Sequence, residues 1–328
     1  MLKLKYLFEN FDLARMCMEL YDSDPDRVDD LMQYFRISSN AIYPFFLKSG
    51  EVCFLRLSPV VEKALSEVKS EIELMQWLIE KNFPAMQPVP MKDGKLFRQL
   101  DTEWGCYNVS CFKRVPGENL EDIAGTLDIV KGYGRTLGHL HALMKQYPYA
   151  EKRHSHEELM TEIQNRLENY GASNVVKNEL KAVKNELKNL TFSGEEYGII
   201  HYDFEPDNVF YDAESGAFSV IDFDDSIRCW YALDVVRALD ALDDVVEDAG
   251  MDEAKQCFLE GYRSATEFTE EQECILPLMR RFVRLQEYAT LLHVLSEEVE
   301  NPPEWMVGLQ THLQNKLKWL EEAVSLDT

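Results

Sequence analysis

Ile199-Ile200-His201-Tyr202-Asp203-Phe204-Glu205-Pro206-Asp207-Asn208-Val209-Phe210-Tyr211, answered by Val220-Ile221-Asp222-Phe223-Asp224, is the stretch whose reading decides the fold. Two apolar runs rich in β-branched and aromatic residues flank polar clusters, as short buried strands do between functional loops. Between the runs stands H-x-D-x-x-x-x-N, and Asp222 follows after a hairpin around Glu214-Ser215-Gly216. Phosphoryl transfer from ATP needs this set of groups. Asp203 is placed to accept the proton of an attacking hydroxyl, while the Asn208 carboxamide oxygen and the Asp222 carboxylate are placed to hold a bridging Mg²⁺. Hard oxygen donors suit that ion, and two or three of them leave room for phosphates and water. Taken singly, these residues are turn formers and a strand-end carboxylate. Strand context on both sides and the apolar-D-F-D run favour the functional reading.

The segment resembles the core of the aminoglycoside phosphotransferase and choline kinase family, small-molecule kinases with the protein-kinase-like fold. The family motif reads H-x-D-x-x-x-x-N followed by I-D-[FW]-[DE], and the likeness runs from about Ile37 to about Leu242. It implies an α+β, bilobal architecture. Residues 1–116 would form a small lobe with an antiparallel sheet and one key helix, and 117–328 a large, mostly helical lobe carrying the catalytic loop, metal site and substrate pocket. It also implies Asp203 as catalytic base, His201 as support of its loop, and Asn208 and Asp222 as metal ligands. Asp234, in Tyr231-Ala232-Leu233-Asp234-Val235-Val236, matches the later Asp that anchors the loop. The cofactors implied are ATP and Mg²⁺.

In the small lobe, Tyr34–Ile37, Ala41–Leu47 and Val52–Leu57 read as strands, with Lys48-Ser49-Gly50-Glu51 as a hairpin. By the resemblance, the loop between the first two strands covers the ATP phosphates. Here it is Ser38-Ser39-Asn40, without glycine; hydroxyls and backbone N–H groups can still cradle phosphate. Arg56 stands where protein kinases carry Lys, a substitution that keeps the charge but changes its geometry. Glu67–Asn82 reads as an amphipathic helix. Its Glu71 matches an E-x5-W-L spacing and would hold Arg56 over the phosphates, with Glu67 one turn earlier as the competing partner. Pro84, Pro88 and Pro90 open extended segments, Lys92–Lys95 is a hairpin turn, and Tyr107–Phe112 a further strand. Lys113-Arg114-Val115-Pro116-Gly117 resembles the family hinge, where backbone groups of Cys111, Lys113 and Val115 would take the adenine edge.

The chain's 328 residues suffice for two lobes, each with a core. A net charge of −25 and a pI near 4.7 argue against nucleic acid or an anionic membrane as partner and suit a cationic substrate. Seven cysteines without C-x-x-C spacing read as reduced thiols of a cytoplasmic protein. Neither a signal peptide nor a membrane span is visible.

The first 33 residues mix apolar and acidic positions at helical spacing from Leu2 onward. Thr126–Lys145 reads as a helix whose His141 is a packed core histidine. The charged stretch 157–190 contains a heptad echo, Val176–Lys181 and Val183–Lys188, that reads as a helix lying on the large lobe. After the metal strand the chain is acidic, with Asp240, Asp243, Asp244, Glu247, Asp248, Asp252 and Glu253, and Arg237 as its one basic residue. In aminoglycoside kinases helices beyond the metal site hold substrate ammonium groups, so Asp240, Asp243 and Asp244 are candidate substrate contacts, against a solvated helix face. Late aromatics read as core, with Trp305 as a possible pocket wall. The expectation is an ATP- and Mg²⁺-dependent phosphotransferase acting on a hydroxyl of a small, cationic metabolite or aminoglycoside-like antibiotic. The alternatives are a silent nucleotide-binding kinase fold and a protein Ser/Thr kinase. The latter lacks a D-F-G-to-A-P-E segment.

Overall fold

The computed structural model describes residues 3–4, 9–190, 193–246, 250–297 and 299–327. Leu2, where the first predicted helical pattern begins, and Glu247 and Asp248 of the acidic run lie outside the described residues. The described chain forms two compact units, residues 1–116 with 219–224, and residues 117–218 with 225–328.

The first unit begins with α1 (Phe11–Met18) and an antiparallel sheet of β1 (Arg36–Ile37), β2 (Ala41–Phe46), β3 (Val52–Pro59), β4 (Phe97–Thr102) and β5 (Gly105–Lys113), in the order β1-β2-β3-β5-β4. Between β3 and β4 runs α2 (Leu65–Glu80). Alternation in β2 and β3 sends Tyr43, Phe45, Cys53, Leu55 and Leu57 to one side, where Leu13, Ala14, Cys17 and Met18 of α1 cover them. The Asn10 side chain caps α1 by accepting from Leu13 N, and its own N–H donates to the Tyr43 hydroxyl. The predicted N-terminal helical pattern therefore condenses to eight residues, with turns and a 3₁₀ segment (Met32–Tyr34) leading to a shorter β1 than predicted. The turn at Lys92–Lys95 leads into β4, an edge strand that sequence reading passed over. After α2, the extended Pro84–Val89 stretch bonds on one side to β5 and on the other to Val220, which fixes the 219–224 segment in this unit.

The second unit contains β6 (Glu118–Asn119), α3 (Leu127–Met144), α4 (His156–Asn169), α5 (Asn174–Leu187), β7 (Tyr197–Ile200) and β8 (Val209–Asp212). The division into units runs through β9 (Ala217–Val220). Then follow β10 (Ile227–Trp230), α6 (Tyr231–Asp240), α7 (Met251–Arg263), α8 (Glu270–Cys274), α9 (Leu276–Val294) and α10 (Glu304–Asp327). β7 pairs with β10, and β6 with β8, both antiparallel. Gly117 must be glycine: its φ is +90°, and a Cβ there would overlap the Tyr211 backbone. The predicted helical stretch 157–190 is broken at Gly171 (φ +74°) into α4 and α5, and the heptad echo supplies the buried Val176, Leu180, Val183 and Leu187. Phe258, Tyr262, Phe282 and Tyr288 are core as predicted, whereas Trp305 and Trp319 lie exposed on α10. The antiparallel sheet of the first unit and the predominantly helical second unit are the mixed architecture expected. Among the described residues, no helix is long and apolar enough to cross a membrane.

Candidate active site

In the first unit β3 presents Arg56 and α2 presents Glu71, both buried. Arg56 Nη1 donates to Glu71 Oε1 at 2.8 Å and Nη2 to Oε2, a bidentate pair, while Nε reaches Ser110 Oγ at 3.3 Å. The guanidinium also lies 4.6 Å from the Phe112 ring centroid. Burial alone would weaken the Arg56 charge, but Glu71, Asp224 and Asp222 hold its pKa above the ordinary value. Helix phase decides between the two glutamates. Glu67 caps α2 by accepting from Ala64 N at 2.7 Å, and Glu71, one turn on, faces inward.

Asp222 is 4.0 Å from Arg56 Nη1 and has φ 62°. A non-glycine residue in that left-handed region is strained by roughly 1–2 kcal/mol. Two residues on, Asp224 is buried and accepts from Asn40 Nδ2 at 2.8 Å and from Lys63 Nζ. Desolvation pushes the Asp224 pKa up, yet the Lys63 and Arg56 cations outweigh it and hold the group well below the usual carboxylate range. Ser58 Oγ donates to Asn40 Oδ1 at 2.5 Å. Of the Ser38-Ser39-Asn40 loop, then, Asn40 spends its side chain inside the protein; Ser38 is exposed and Ser39 half-buried. Sequence reading gave Asp224 and Lys63 no role.

The predicted hinge residues differ in availability. Cys111 C=O accepts from Val89 N, and Lys113 N donates to Gln87 O, each at 2.8 Å. Lys113 Nζ pairs with Glu51 at 2.9 Å. Val115, half-buried, has neither N–H nor C=O in a backbone hydrogen bond among the described residues.

In the second unit the loop after β7 is held from α6. Asp234, fully buried, accepts from His201 N and Tyr202 N at 2.7 Å each. His141 Nε2 lies 3.0 Å from the same carboxylate, and its Nδ1 lies 2.7 Å from Tyr262 Oη. Burial pushes the His141 ring toward its neutral form, against the pull of Asp234. Tyr202 has φ 76°, and the two charge-assisted bonds, each worth about 1.5–3 kcal/mol, offset that strain. Tyr133 Oη donates to Phe204 O at 2.7 Å, and Asn119 Nδ2 to Asp207 O at 3.1 Å. The loop is thus bonded at its start, middle and end. Its product is Asp203, with the side chain 40% exposed, and Asn208, whose Nδ2 donates to Asp203 O at 2.9 Å and Oδ2 at 3.0 Å. His201 is buried and its Nδ1 accepts from Asp203 N at 3.3 Å, so it shapes the loop from within.

The donor chemistry fits a hard divalent cation. Asn208 commits its amide nitrogen to Asp203, so the carbonyl oxygen is what it has to offer such an ion, and Asp222 has a carboxylate to offer. Among the candidate substrate carboxylates, Asp240 is chelated by Arg280, with Nε at 2.8 Å and Nη2 at 2.7 Å. Asp243 and Asp244 are exposed on the 3₁₀ turn that follows α6. Burial and the neighbouring Asp203, Glu205 and Glu121 push the Asp207 carboxyl up to about 6.

Residues 36–270 match the model of the phosphotransferase enzyme family. The chain belongs to this family. Its members' protein-kinase-like, small-molecule kinase fold is the fold seen here, and the chain is a phosphotransferase enzyme. Amicoumacin kinase of Bacillus subtilis (strain 168) is 22% identical over 302 residues, covering 87% of this chain and 88% of that protein. Among solved structures, the amicoumacin kinase hAmiN in complex with AMP-PNP, Ca²⁺ and Ami superposes with a TM-score of 0.78 at 20% identity, covering 98% of this chain and 95% of that one. The microcompartment-associated aminopropanol kinase gives 0.72 at 21%, covering 97% and 98%. The matched span of this phosphotransferase contains every predicted catalytic, nucleotide-binding, metal and substrate residue from Ser38 to Asp244. It also contains Arg237, whose contacts with Glu205 and Asp203 no local sequence pattern announces.

Proposed function

We propose that the protein transfers the γ-phosphoryl group of ATP, as its magnesium complex, to a hydroxyl of a small cationic amino alcohol. The observation that carries this reading is the catalytic loop: Asp234 holds His201 and Tyr202 in a strained turn, and the turn presents Asp203 half-exposed with its Oδ2 fixed by Asn208. A carboxylate so fixed can orient an attacking hydroxyl and take its proton as the bond to phosphorus forms. Arg56, oriented by Glu71, is the cation for the α- and β-phosphates; the Ser38 and Ser39 hydroxyls supply donors, since the Ser38 N–H is already spent on Asn40 C=O, and Val115 supplies backbone groups for the adenine edge. Magnesium, held through Asn208 Oδ1 and the Asp222 carboxylate, would supply charge neutralisation on the phosphates. Support for the nucleotide and a divalent ion comes from the similar amicoumacin kinase, whose structure contains AMP-PNP and Ca²⁺.

For the acceptor, Asp203, Glu205, Asp207, Asp243 and Asp244 make the second unit's loop and post-α6 turn acidic, and the chain's net charge is −25. Such a field favours approach of a cation. Asp240, neutralised by Arg280, is the weakest of the three carboxylates named for this role. Relatives named as kinases of amicoumacin and of aminopropanol support the amino-alcohol class. Phosphorus NMR of mixtures of protein, ATP, Mg²⁺ and acceptor tests the proposal, with 1-amino-2-propanol, amicoumacin and spectinomycin set against uncharged 1,2-propanediol. The expected result is a new phosphate monoester with at least one amine and none with the diol, abolished by excess EDTA and restored by Mg²⁺. Equal transfer to the diol would remove the cationic class. Bound Mg·ATP without transfer to any acceptor would remove the proposal.

A further inference from the structure

Strand alternation gives the first unit's sheet a second face, polar where the other is apolar. Arg56 and Ser58 of β3 turn away from the side taken by Leu55 and Leu57, and in register across from them on β5 stand Ser110 and Asn108. Asn40, at the entry to β2, belongs to the same face: Ala41 pairs with Leu57, which sets Asn40 beside Ser58. Its side chain is engaged at both ends. Oδ1 accepts from Ser58 Oγ at 2.5 Å, and Nδ2 donates at 2.8 Å to Asp224 Oδ2, 184 residues further along the chain. Lys63 Nζ donates to the same Asp224 oxygen, and the Lys63 carbonyl accepts from Asn108 Nδ2 at 2.8 Å. Asn40, Ser58, Asn108 and Asp224 are all more than nine-tenths buried.

Loops that cradle phosphate commonly rely on glycine, and Ser38-Ser39-Asn40 has none. Here a side chain anchors the loop. Ser38 N donates to Asn40 O at 3.0 Å, which closes the turn on Asn40, and the Asn40 amide ties the turn to Asp224. Asp224 lies two residues beyond Asp222, the carboxylate with φ 62°. We infer that Asn40 is a positioning residue for the nucleotide. Acting through Asp224, it ties the Ser38 and Ser39 hydroxyls to the segment that bears Asp222, so both sets of groups are placed before the nucleotide arrives. A loop already ordered gives up less entropy on binding. On this inference Asp224 is a strut between loop and segment, and its bond to an amide N–H is of the charge-assisted kind that is costly to lose. The inference rests on the reading of this loop as the one that covers the phosphates.

The test compares wild type with Asn40→Asp, Asn40→Leu, Ser58→Ala, Asp224→Asn and the exchange variant Asn40→Asp/Asp224→Asn, in which amide and carboxylate trade places. The readouts are hydrogen–deuterium exchange of backbone 36–43 in the nucleotide-free protein, Mg·ATP affinity by calorimetry, and steady-state kcat and KM. The acceptor is the amine giving the highest turnover in the panel above. Asn40→Asp keeps the size of the side chain and the acceptor for Ser58 but has no N–H to donate to Asp224. Its loop exchanges about 10-fold faster and KM for Mg·ATP rises about 10-fold, while kcat and the acceptor KM stay within about twofold of wild type, because what is lost is preorganised binding. Asn40→Leu and Asp224→Asn move the same quantities in the same direction. Ser58→Ala, which keeps the Asp224 bond, moves them less and serves where an Asn40 variant fails to fold. The exchange variant recovers most of both losses, since a donor again faces an acceptor. Exchange across α3 stays at wild-type rates throughout, which separates a released loop from a lost fold. Wild-type loop exchange and KM in the Asn40 and Ser58 variants would overturn the inference. So would an exchange variant as impaired as Asp224→Asn alone, which would make Asp224 a group acting on the metal or nucleotide itself. A wild-type loop that gains no protection when Mg·AMP-PNP binds would instead overturn the phosphate-loop reading, and a wild type inactive with every acceptor the phosphotransfer beneath it.

Discussion

Replacing Glu71 by Gln should separate what the Arg56–Glu71 pair does for the fold from what it does for the nucleotide. The two side chains are 2% and 0% exposed and meet at 2.8 Å on one arm of the fork. At an effective dielectric of about 20, charges at that separation attract by about 6 kcal/mol, most of which repays their desolvation. Removing one partner leaves the other buried and uncompensated, so the expected loss is about 3–5 kcal/mol of folding stability. The orphaned guanidinium then has the Asp222 carboxylate within reach, with Oδ1 at 4.0 Å. Closing that gap engages the carboxylate assigned to the metal, so KM for Mg·ATP should rise about 10- to 100-fold, corresponding to roughly 1.4–2.8 kcal/mol. Urea unfolding followed by tryptophan fluorescence gives the first quantity, and steady-state kinetics at varied Mg·ATP the second. The charge-free pair Arg56→Met/Glu71→Leu should recover most of the stability, since apolar residues replace buried ion pairs with little loss, but not the use of ATP. A Glu71→Gln protein with the wild-type urea midpoint and KM would refute the reasoning. So would a double variant as active as wild type.

Asp234→Asn keeps the shape of the loop latch but sets an amide where a carboxylate accepts from two N–H groups at 2.7 Å. We expect about 2–4 kcal/mol less stability in urea and a kcat about 100-fold lower, and an unchanged kcat would contradict the latch. Burial against Trp230 and Tyr197 holds His156 at about 4, below its ordinary 6.5, with Glu157 opposing that shift and Arg228 adding to it. The unfolded ring takes a proton below 6.5 and the folded ring only near 4, so stability falls as pH drops through that window, by about 2 kcal/mol after allowing for partial solvent screening. Glu substitution is unnecessary to test this: His156→Gln should flatten the difference between urea unfolding at pH 7 and at pH 4.5, and an undiminished difference would assign it elsewhere.

The parts of the candidate site that lie within one loop are the ones whose spacing could be read from the chain. His201, Asp203 and Asn208 fall at fixed offsets because a single short turn carries them, and Glu71 lies on the inward phase of a helix whose apolar spacing is plain. What the chain conceals is pairing across long separations. Arg237 meets Glu205 from another element, Asp224 gathers Asn40 and Lys63 from far upstream, and Asp240 is neutralised by Arg280 on α9. Local periodicity carries no trace of such partners. Edge strand β4 was missed because Phe97–Thr102 is half polar and its inward face is shallow. The long helical reading of 157–190 failed at Gly171, where a positive φ turns the chain between two helices. Trp319 was read as core and Trp305 as a pocket wall from residue type alone, yet both lie exposed on α10.

The account stands on Asp203 acting on the acceptor rather than on the nucleotide. Its most direct test is Asp203→Ala in a paired measurement of Mg·ATP affinity by calorimetry and of phosphoryl transfer in a single turnover. The expected result is ATP affinity within about twofold of wild type, with transfer slowed at least about 1,000-fold, in the range set by loss of a general base and its positioning. Transfer at the wild-type rate with ATP bound as before would contradict it.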